Sequence, residues 1–222
     1  MKISKKAALV TAIVTALCFA GCSQAKPTEK TESQKTEETM PNESDNRILI
    51  AWFSRAEQMP DDADAYSSAT PASGNTETAA DVIARLTGGE LYEIRTSEKY
   101  PVDHSENSQI AHEEQEEDAR PPLIDPIDIS GYDTIFIGYP IWWYEEPMVI
   151  RSFLESQDFS GKTILPFCTS GEVPIEKSVE DIRQLAPDAD VKDGLRMQSG
   201  DAGEDEDEIR SWLEHSDIEI VR

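Results

Sequence analysis

Three clusters of residues have types and spacing suited to chemistry. The segment Gly138-Tyr139-Pro140-Ile141-Trp142-Trp143-Tyr144 places three adjacent aromatics directly after an apolar run. Aromatic faces suit stacking on a flat ring system. The plainer account is two tryptophans at a core edge and an exposed tyrosine. Ser54-Arg55 follows a second apolar run, and Ser73-Gly74-Asn75-Thr76 opens a helical pattern. Backbone N–H groups at a helix N-terminus, with hydroxyls beside them, form a concavity for a phosphate monoester. Gly74 lets the backbone approach such a group closely; the plainer account makes Asn75-Thr76 a helix cap. Cys168-Thr169-Ser170-Gly171 offers N–H groups to the edge of a ring, or is a simple turn. No GxGxxG or GxxxxGK[ST] pattern occurs, so the usual dinucleotide and triphosphate signatures are absent.

Other reactive residue types point to less. The cysteines are Cys18, Cys22 and Cys168, which leaves one thiol in the body of the chain and no internal disulfide framework. Cys168 has no histidine near it in sequence to serve as a base, so a small packing residue is expected there. His104, His112 and His215 are scattered, and no Cys/His spacing matches a zinc, haem or iron–sulfur site. Glu113-Glu114 and Glu116-Glu117 read as a solvated helix face. The formal charge is −25, from 20 Lys and Arg against 45 Asp and Glu. Such a surface repels nucleic acid and anionic lipid and suits basic partners.

The elements that must position these clusters alternate regularly. Ile48 to Phe53 is a near-continuous apolar run, as expected for a strand buried on both faces of a parallel sheet. Thr76 to Leu86 has a helical apolar stripe closed by Gly88-Gly89. Leu91 to Ile94 is a shorter strand, and Ser105 to Ala119 a polar, exposed helix. Asp133 to Tyr139 is the clearest strand, followed by a helix over Pro147 to Ser156. Thr163 to Phe167 is a strand, Ile175 to Leu185 a helix, Asp190 to Leu195 a weaker strand and Glu204 to Leu213 a last helix. This alternation predicts an α/β fold, a doubly wound five-stranded parallel sheet with helices on both faces. Ligands in such folds sit at the carboxyl ends of the strands, just after Phe53, Gly138 and Phe167.

The N-terminus reads as an address. Lys2, Lys5 and Lys6 precede an apolar run from Ala7 to Ala20, short of the about 20 residues of a permanent span. Phe19-Ala20-Gly21-Cys22 resembles the lipobox of bacterial lipoproteins, with Phe19 where an aliphatic residue is more usual. The resemblance implies a signal peptide over residues 1–21, cleavage before Cys22 and a lipid on Cys22. Residues 22–46 are polar and charged, too poor in apolar surface to offset ordering entropy, and form a tether. Residues 47–222 form the folded domain. The expected location is the outer face of the cell membrane, with the lipid as the sole membrane contact.

Taken together, Ile48 to Arg55, Gly74 to Leu86, Asp133 to Trp143, Pro147 to Leu154 and Phe159 to Gly171 resemble the flavodoxin-like family. The closest likeness is to the branch with a YPIWW motif and a DFSGKTI-PFCTSG motif. The resemblance implies a flavodoxin fold that binds FMN. By position, Ser54, Ser73, Gly74, Asn75 and Thr76 would hold the FMN phosphate, with Arg55 adding charge. Pro140, Ile141, Trp142 and Trp143 would line the isoalloxazine ring, and Thr169, Ser170 and Gly171 would meet its other edge. The chain departs from the family pattern in an acidic insert over Ala56 to Ala72. It also departs in Tyr144-Glu145-Glu146, where glycine and small residues are usual, and in Glu172-Val173-Pro174. Carboxylates near the ring would disfavour an anionic reduced form.

The implied activity is electron transfer with a redox partner protein or a small electron acceptor. The alternatives are an FMN-dependent NAD(P)H:quinone-type reductase and a non-redox binding module on the same fold, since fold alone does not separate them.

Overall fold

The computed structural model describes residues 47–55, 74–101, 103–199 and 206–221. The signal segment, Cys22, the tether, the acidic insert and Ser73 lie outside the described residues.

Strand β1 (Ile48–Trp52) leads to helix α1 (Asn75–Thr87), then β2 (Glu90–Glu93) and a two-residue β3 (Arg95–Thr96). Helix α2 (His104–Glu116), β4 (Leu123–Ile124) and β5 (Thr134–Pro140) follow. The chain continues through α3 (Met148–Glu155), β6 (Thr163–Ser170), α4 (Glu176–Leu185), β7 (Asp190–Val191), β8 (Leu195–Gln198) and α5 (Glu206–His215). The main sheet runs β2-β1-β5-β6-β7, with β8 also on β6, and every pairing in it is parallel.

Alternate residues of the central strands feed two separate cores, as a period of two requires. Leu49, Ala51, Ile135, Ile137 and Ile164 pack with Val149 and Phe153 of α3 and Val179 and Ile182 of α4. Ile50, Trp52, Phe136, Leu165 and Phe167 pack with Ala80 and Ile83 of α1 and Ile209 and Leu213 of α5. Helices therefore cover both faces, as the apolar runs predict. Helix α1 stops where expected: Gly88 takes φ 71° and its N–H donates to the Ala84 carbonyl at 2.8 Å.

The sheet differs from expectation at its fifth position. The strand expected over Asp190 to Leu195 is instead two short pieces, β7 and β8. The cause lies in the neighbouring strand. The Ile164 carbonyl accepts from Lys192 N–H, so Ile164 faces the fifth position, and so does residue 166, two further on. Residue 166 is proline and has no N–H to give. Pairing with β6 stops at Ile164 and resumes at Phe167, on either side of that gap. The antiparallel pair β3–β4 is a second feature that no apolar run announces. Among the described residues no helix is long and apolar enough to cross a membrane.

Candidate functional site

The carboxyl ends of β1, β5 and β6 come together, and three contacts fix them. Phe53 N–H donates to the Gly138 carbonyl at 2.9 Å, joining the ends of β1 and β5. Ile141 N–H donates to the Thr169 carbonyl at 3.0 Å, joining β5 to β6. The buried hydroxyls of Thr76 and Thr169 share a hydrogen bond of 3.0 Å, joining the start of α1 to the end of β6. The register depends on Gly138, where a Cβ would sit 2.1 Å from Cζ of Phe167.

Helix α1 begins at Asn75, with Gly74 extended before it. Ser54, two residues past β1, and Thr76 are buried, and Asn75 is half-buried. The Gly74 N–H donates to Glu77 Oε2 at 3.2 Å, so a carboxylate already caps one donor of this helix end. Arg55 is half-buried, and desolvation, ahead of the opposing pull of Asp103, lowers its pKa from the ordinary value.

The residues after β5 form the most distinctive part. Trp142 N–H donates to the Glu145 carbonyl at 2.9 Å, and Glu145 N–H returns a bond to the Trp142 carbonyl at 3.1 Å. The two residues between them, Trp143 and Tyr144, take φ of 46° and 71°. This is a two-residue hairpin turn of the primed class, which glycine and asparagine normally fill. Bulky residues held there cost roughly 1–3 kcal/mol each.

Helix α2 holds this turn from one side. Trp143 Nε1 donates to the Ser108 carbonyl at 2.7 Å, and Gln115 Nε2 donates to the Trp143 carbonyl at 3.4 Å. The His112 ring stacks on the Trp143 ring, with centroids 4.6 Å apart. Ser108, His112 and Gln115 lie along one helical face, since residues three and four apart are neighbours. The two tryptophans part ways in burial. Trp142 is half-buried and meets Phe53 and Tyr100 edge-on at 5.4 and 5.0 Å, whereas Trp143 is 44% exposed and Tyr144 69%.

Between the turn and α2 lies a cavity of about 380 Å³. Arg55, Ile141, Trp142 and Trp143, all expected from sequence, line it. His104, Asn107, Ser108 and Ala111 of α2, with Tyr144 and Val173, complete its wall. No described carboxylate lines it, in a chain of charge −25. The wall from α2 is missing from the sequence reading because its residues are polar, small and without a motif. The helix is also less solvated than expected: Asn107 and Ala111 are buried, and the Tyr100 hydroxyl donates to Glu114 Oε2 at 3.0 Å. Burial, ahead of the nearby Glu114, holds the Tyr100 phenol protonated.

The loop after β6 is closed on itself. Ser170 Oγ donates to the Val173 carbonyl at 2.5 Å, and Arg196 Nη1 donates to the Gly171 carbonyl at 3.1 Å. Thr169 and Ser170 are buried and Gly171 is exposed. Pro140 is the last residue of β5, opposite Thr169. Cys168 is fully buried, and burial pushes its thiol up to about 12, so it packs rather than reacts.

Glu145 and Glu146 are committed to cations. Arg151 Nε donates to Glu146 Oε1 at 2.8 Å, and Arg151 Nη2 donates to Glu145 Oε2 at 2.9 Å. Lys177 Nζ lies 3.1 Å from Glu145 Oε1. These side chains address α3 and α4, and neither lines the cavity. Among the described residues no cluster of His, Cys, Asp and Glu could hold a metal ion.

The family model described as Flavodoxin matches residues 64–216. The "putative flavoprotein" of Bacteroides eggerthii DSM 20697 is similar at 30% identity and TM-score 0.60, over 76% of this chain and 96% of that one. Its counterpart from Bacteroides uniformis ATCC 8492 is similar at 28% identity and TM-score 0.60, over 76% and 98%. A flavoprotein from Lactobacillus acidophilus NCFM, solved in complex with FMN, shares the fold at 23% identity and TM-score 0.56, over 75% and 98%. A comparison with curated proteins finds no match.

Proposed function

The chain belongs to the flavodoxin family, and from that premise we propose that it binds FMN and transfers electrons at the outer face of the cell membrane. One observation carries the reading. The start of α1, the turn after β5 and the loop after β6 meet at the carboxyl ends of adjacent parallel strands, and the turn and Val173 of that loop line an aromatic cavity with Arg55 and no described carboxylate in its wall. That is where open α/β sheets bind their ligands.

The residues present fit the cofactor. Ser54, Gly74, Asn75 and Thr76, with Ser73 from sequence, hold the phosphate through N–H groups and hydroxyls at the start of α1. Arg55 supplies positive charge. Pro140, Ile141, Trp142 and Trp143 line the ring, with Trp143 presented by the turn. Thr169, Ser170 and Gly171 face its other edge through backbone groups. Glu77 sits against the phosphate end, so part of its cap must yield to an anion. FMN, when bound, supplies the redox chemistry; the chain binds it, shields it and sets its electrostatic surroundings. With Glu145 and Glu146 paired to Arg151 and Lys177, their charge weighs less on the ring than their place in the sequence suggests.

The acidic surface steers docking onto a basic redox partner. The lipid on Cys22 and the polar tether hold the domain at the membrane, a reading supported by the lipobox-like segment alone. Titration with FMN, followed by flavin fluorescence, tests the core of the proposal: saturable uptake and a yellow protein are expected, and a colourless protein that takes up no FMN overturns it. Steady NAD(P)H oxidation with a quinone and no partner protein replaces the carrier by a reductase. Cys22→Ser is expected to move the protein out of the membrane fraction.

A further inference from the structure

The aromatic turn is joined to an unusual buried carboxylate. Glu146 is 1% exposed, follows the turn directly, and its Oε2 has no hydrogen-bond partner. Buried polar atoms are nearly always paired, so an orphaned carboxylate oxygen needs a reason. Its surroundings supply one. Arg151 is shared by Glu146 at 2.8 Å, Glu145 at 2.9 Å, Asp181 at 3.4 Å and Asp118 at 3.5 Å. Lys177 of α4 adds a second cation, on Glu145 and Asp181. Further out, Arg120 and Glu155 pair with each other, Arg120 also holding Asp118. From β5, the buried Tyr139 hydroxyl bonds to Ser178 Oγ at 2.9 Å. Four carboxylates thus gather on one arginine with one lysine beside them. The least hydrated of the four is the natural place for a proton.

We propose that Glu146 is a proton-operated latch on the turn formed by Trp142, Trp143, Tyr144 and Glu145. Protonated, Glu146 lies buried as a neutral group, and Glu145 stays in place to close the turn with its two backbone bonds. Deprotonated, Glu146 becomes a buried anion in a cluster that already holds excess negative charge, and it moves toward water. It draws Glu145 with it, the backbone pair to Trp142 opens, and Trp143 and Tyr144 leave the left-handed region. The stored backbone strain favours this release. Burial, ahead of the opposing pull of its own backbone hydrogen bond and of Arg151, raises Glu146 to about 7, which puts the latch in the neutral range. Since Trp143 walls the cavity, the cavity changes shape with pH.

The experiment is amide hydrogen exchange of apo protein and Glu146→Gln between pH 6 and pH 8, corrected for intrinsic rates. The reporter is the Glu145 N–H, which donates to the Trp142 carbonyl. An N–H of β5 serves as the control for global opening. Wild type is expected to lose at least about tenfold in protection at Glu145 as pH rises, with β5 unchanged. Glu146→Gln, nearly isosteric and permanently neutral, is expected to keep its protection throughout. His112 stacks on Trp143, so His112→Phe is measured alongside and is expected to retain the wild-type loss. Equal behaviour of wild type and Glu146→Gln, or loss of the effect in His112→Phe alone, overturns the proposal. The readout needs no flavin, so it stands or falls separately from FMN binding.

Discussion

Two segments leave the carboxyl ends of neighbouring strands, and they are held by opposite means. The start of α1, after β1, is relaxed. Gly74 is extended before the helix, a hydroxyl pair ties Thr76 to Thr169, and Glu77 caps the first N–H. The turn after β5 is strained. Two bulky aromatics occupy left-handed backbone, and the turn survives because α2 grips Trp143 while Arg151 anchors Glu145 and Glu146. The first segment keeps its shape through local chemistry. The second borrows its shape from neighbouring helices, α2 among them, whose hydrogen bonds to Trp143 span 28 and 35 residues. A site with one relaxed and one strained wall can hold a phosphate firmly while leaving the ring wall adjustable.

If the turn depends on its anchors, removing Arg151 has the largest effect. Arg151→Ala leaves Glu145, Glu146 and Asp181 without their shared cation. Removing one partner of a buried pair costs about 3–5 kcal/mol, and denaturant unfolding at pH 6, where the turn is closed, is expected to show a loss of that order. The loss shrinks at pH 8, where Glu146 is ionised and has left the cluster for water. The sign follows from the direction of the shift. Glu146 sits near 7 in the fold against 4.5 as its ordinary value, so the folded state binds the proton more tightly. Its contribution is fully present below pH 4.5 and is lost as pH rises through about 7. Wild type is therefore expected to lose stability between pH 5 and pH 7.5 relative to Glu146→Gln. Equal unfolding midpoints for the two proteins across that range would show that Glu146 carries no such proton.

On the relaxed side the effect is smaller. Thr76→Val removes one hydroxyl from the buried pair and leaves Thr169 Oγ1 without that partner. A cost of about 1–3 kcal/mol is expected, with FMN affinity lowered because the start of α1 loses its tie to β6. Thr76→Val with Thr169→Val is expected to cost less than the sum of the single changes, since neither hydroxyl is then orphaned. Additive costs would mean the two hydroxyls do not act as a pair.

The same contrast decides what the residues reveal in sequence. Strand–helix alternation, the Gly88 stop and the phosphate-type segment are local, so composition and period expose them. The split fifth strand was open to inference in principle: Pro166 stands in the middle of β6, although which neighbour it faces depends on register. The wall from α2 was not. Asn107, Ser108 and Ala111 carry no motif, and their role exists only because Trp143 reaches back to that helix. Glu145 and Glu146 mislead for a related reason. Adjacency to Trp142 and Trp143 suggests carboxylates near the ring, but Arg151 and Lys177, on two separate helices, take them away from the cavity.

The smallest effect is also the sharpest test of strain. Tyr144 is 69% exposed, so its side chain gains little from burial, yet its φ of 71° belongs to the region that favours glycine. Tyr144→Gly removes the steric cost of a left-handed side chain, roughly 1–2 kcal/mol. It also raises the entropy of the unfolded chain, which offsets up to about 1 kcal/mol. The net expectation is a stabilisation of about 0.5–1 kcal/mol, against the loss that glycine causes at most positions. Denaturant midpoints measure it, at pH 6 where the turn is closed. A glycine that destabilises the protein would mean that the aromatic face of Tyr144 does structural work outweighing its backbone. In that case the turn is held by its side chains, and the contrast with the start of α1 is one of packing rather than of strain.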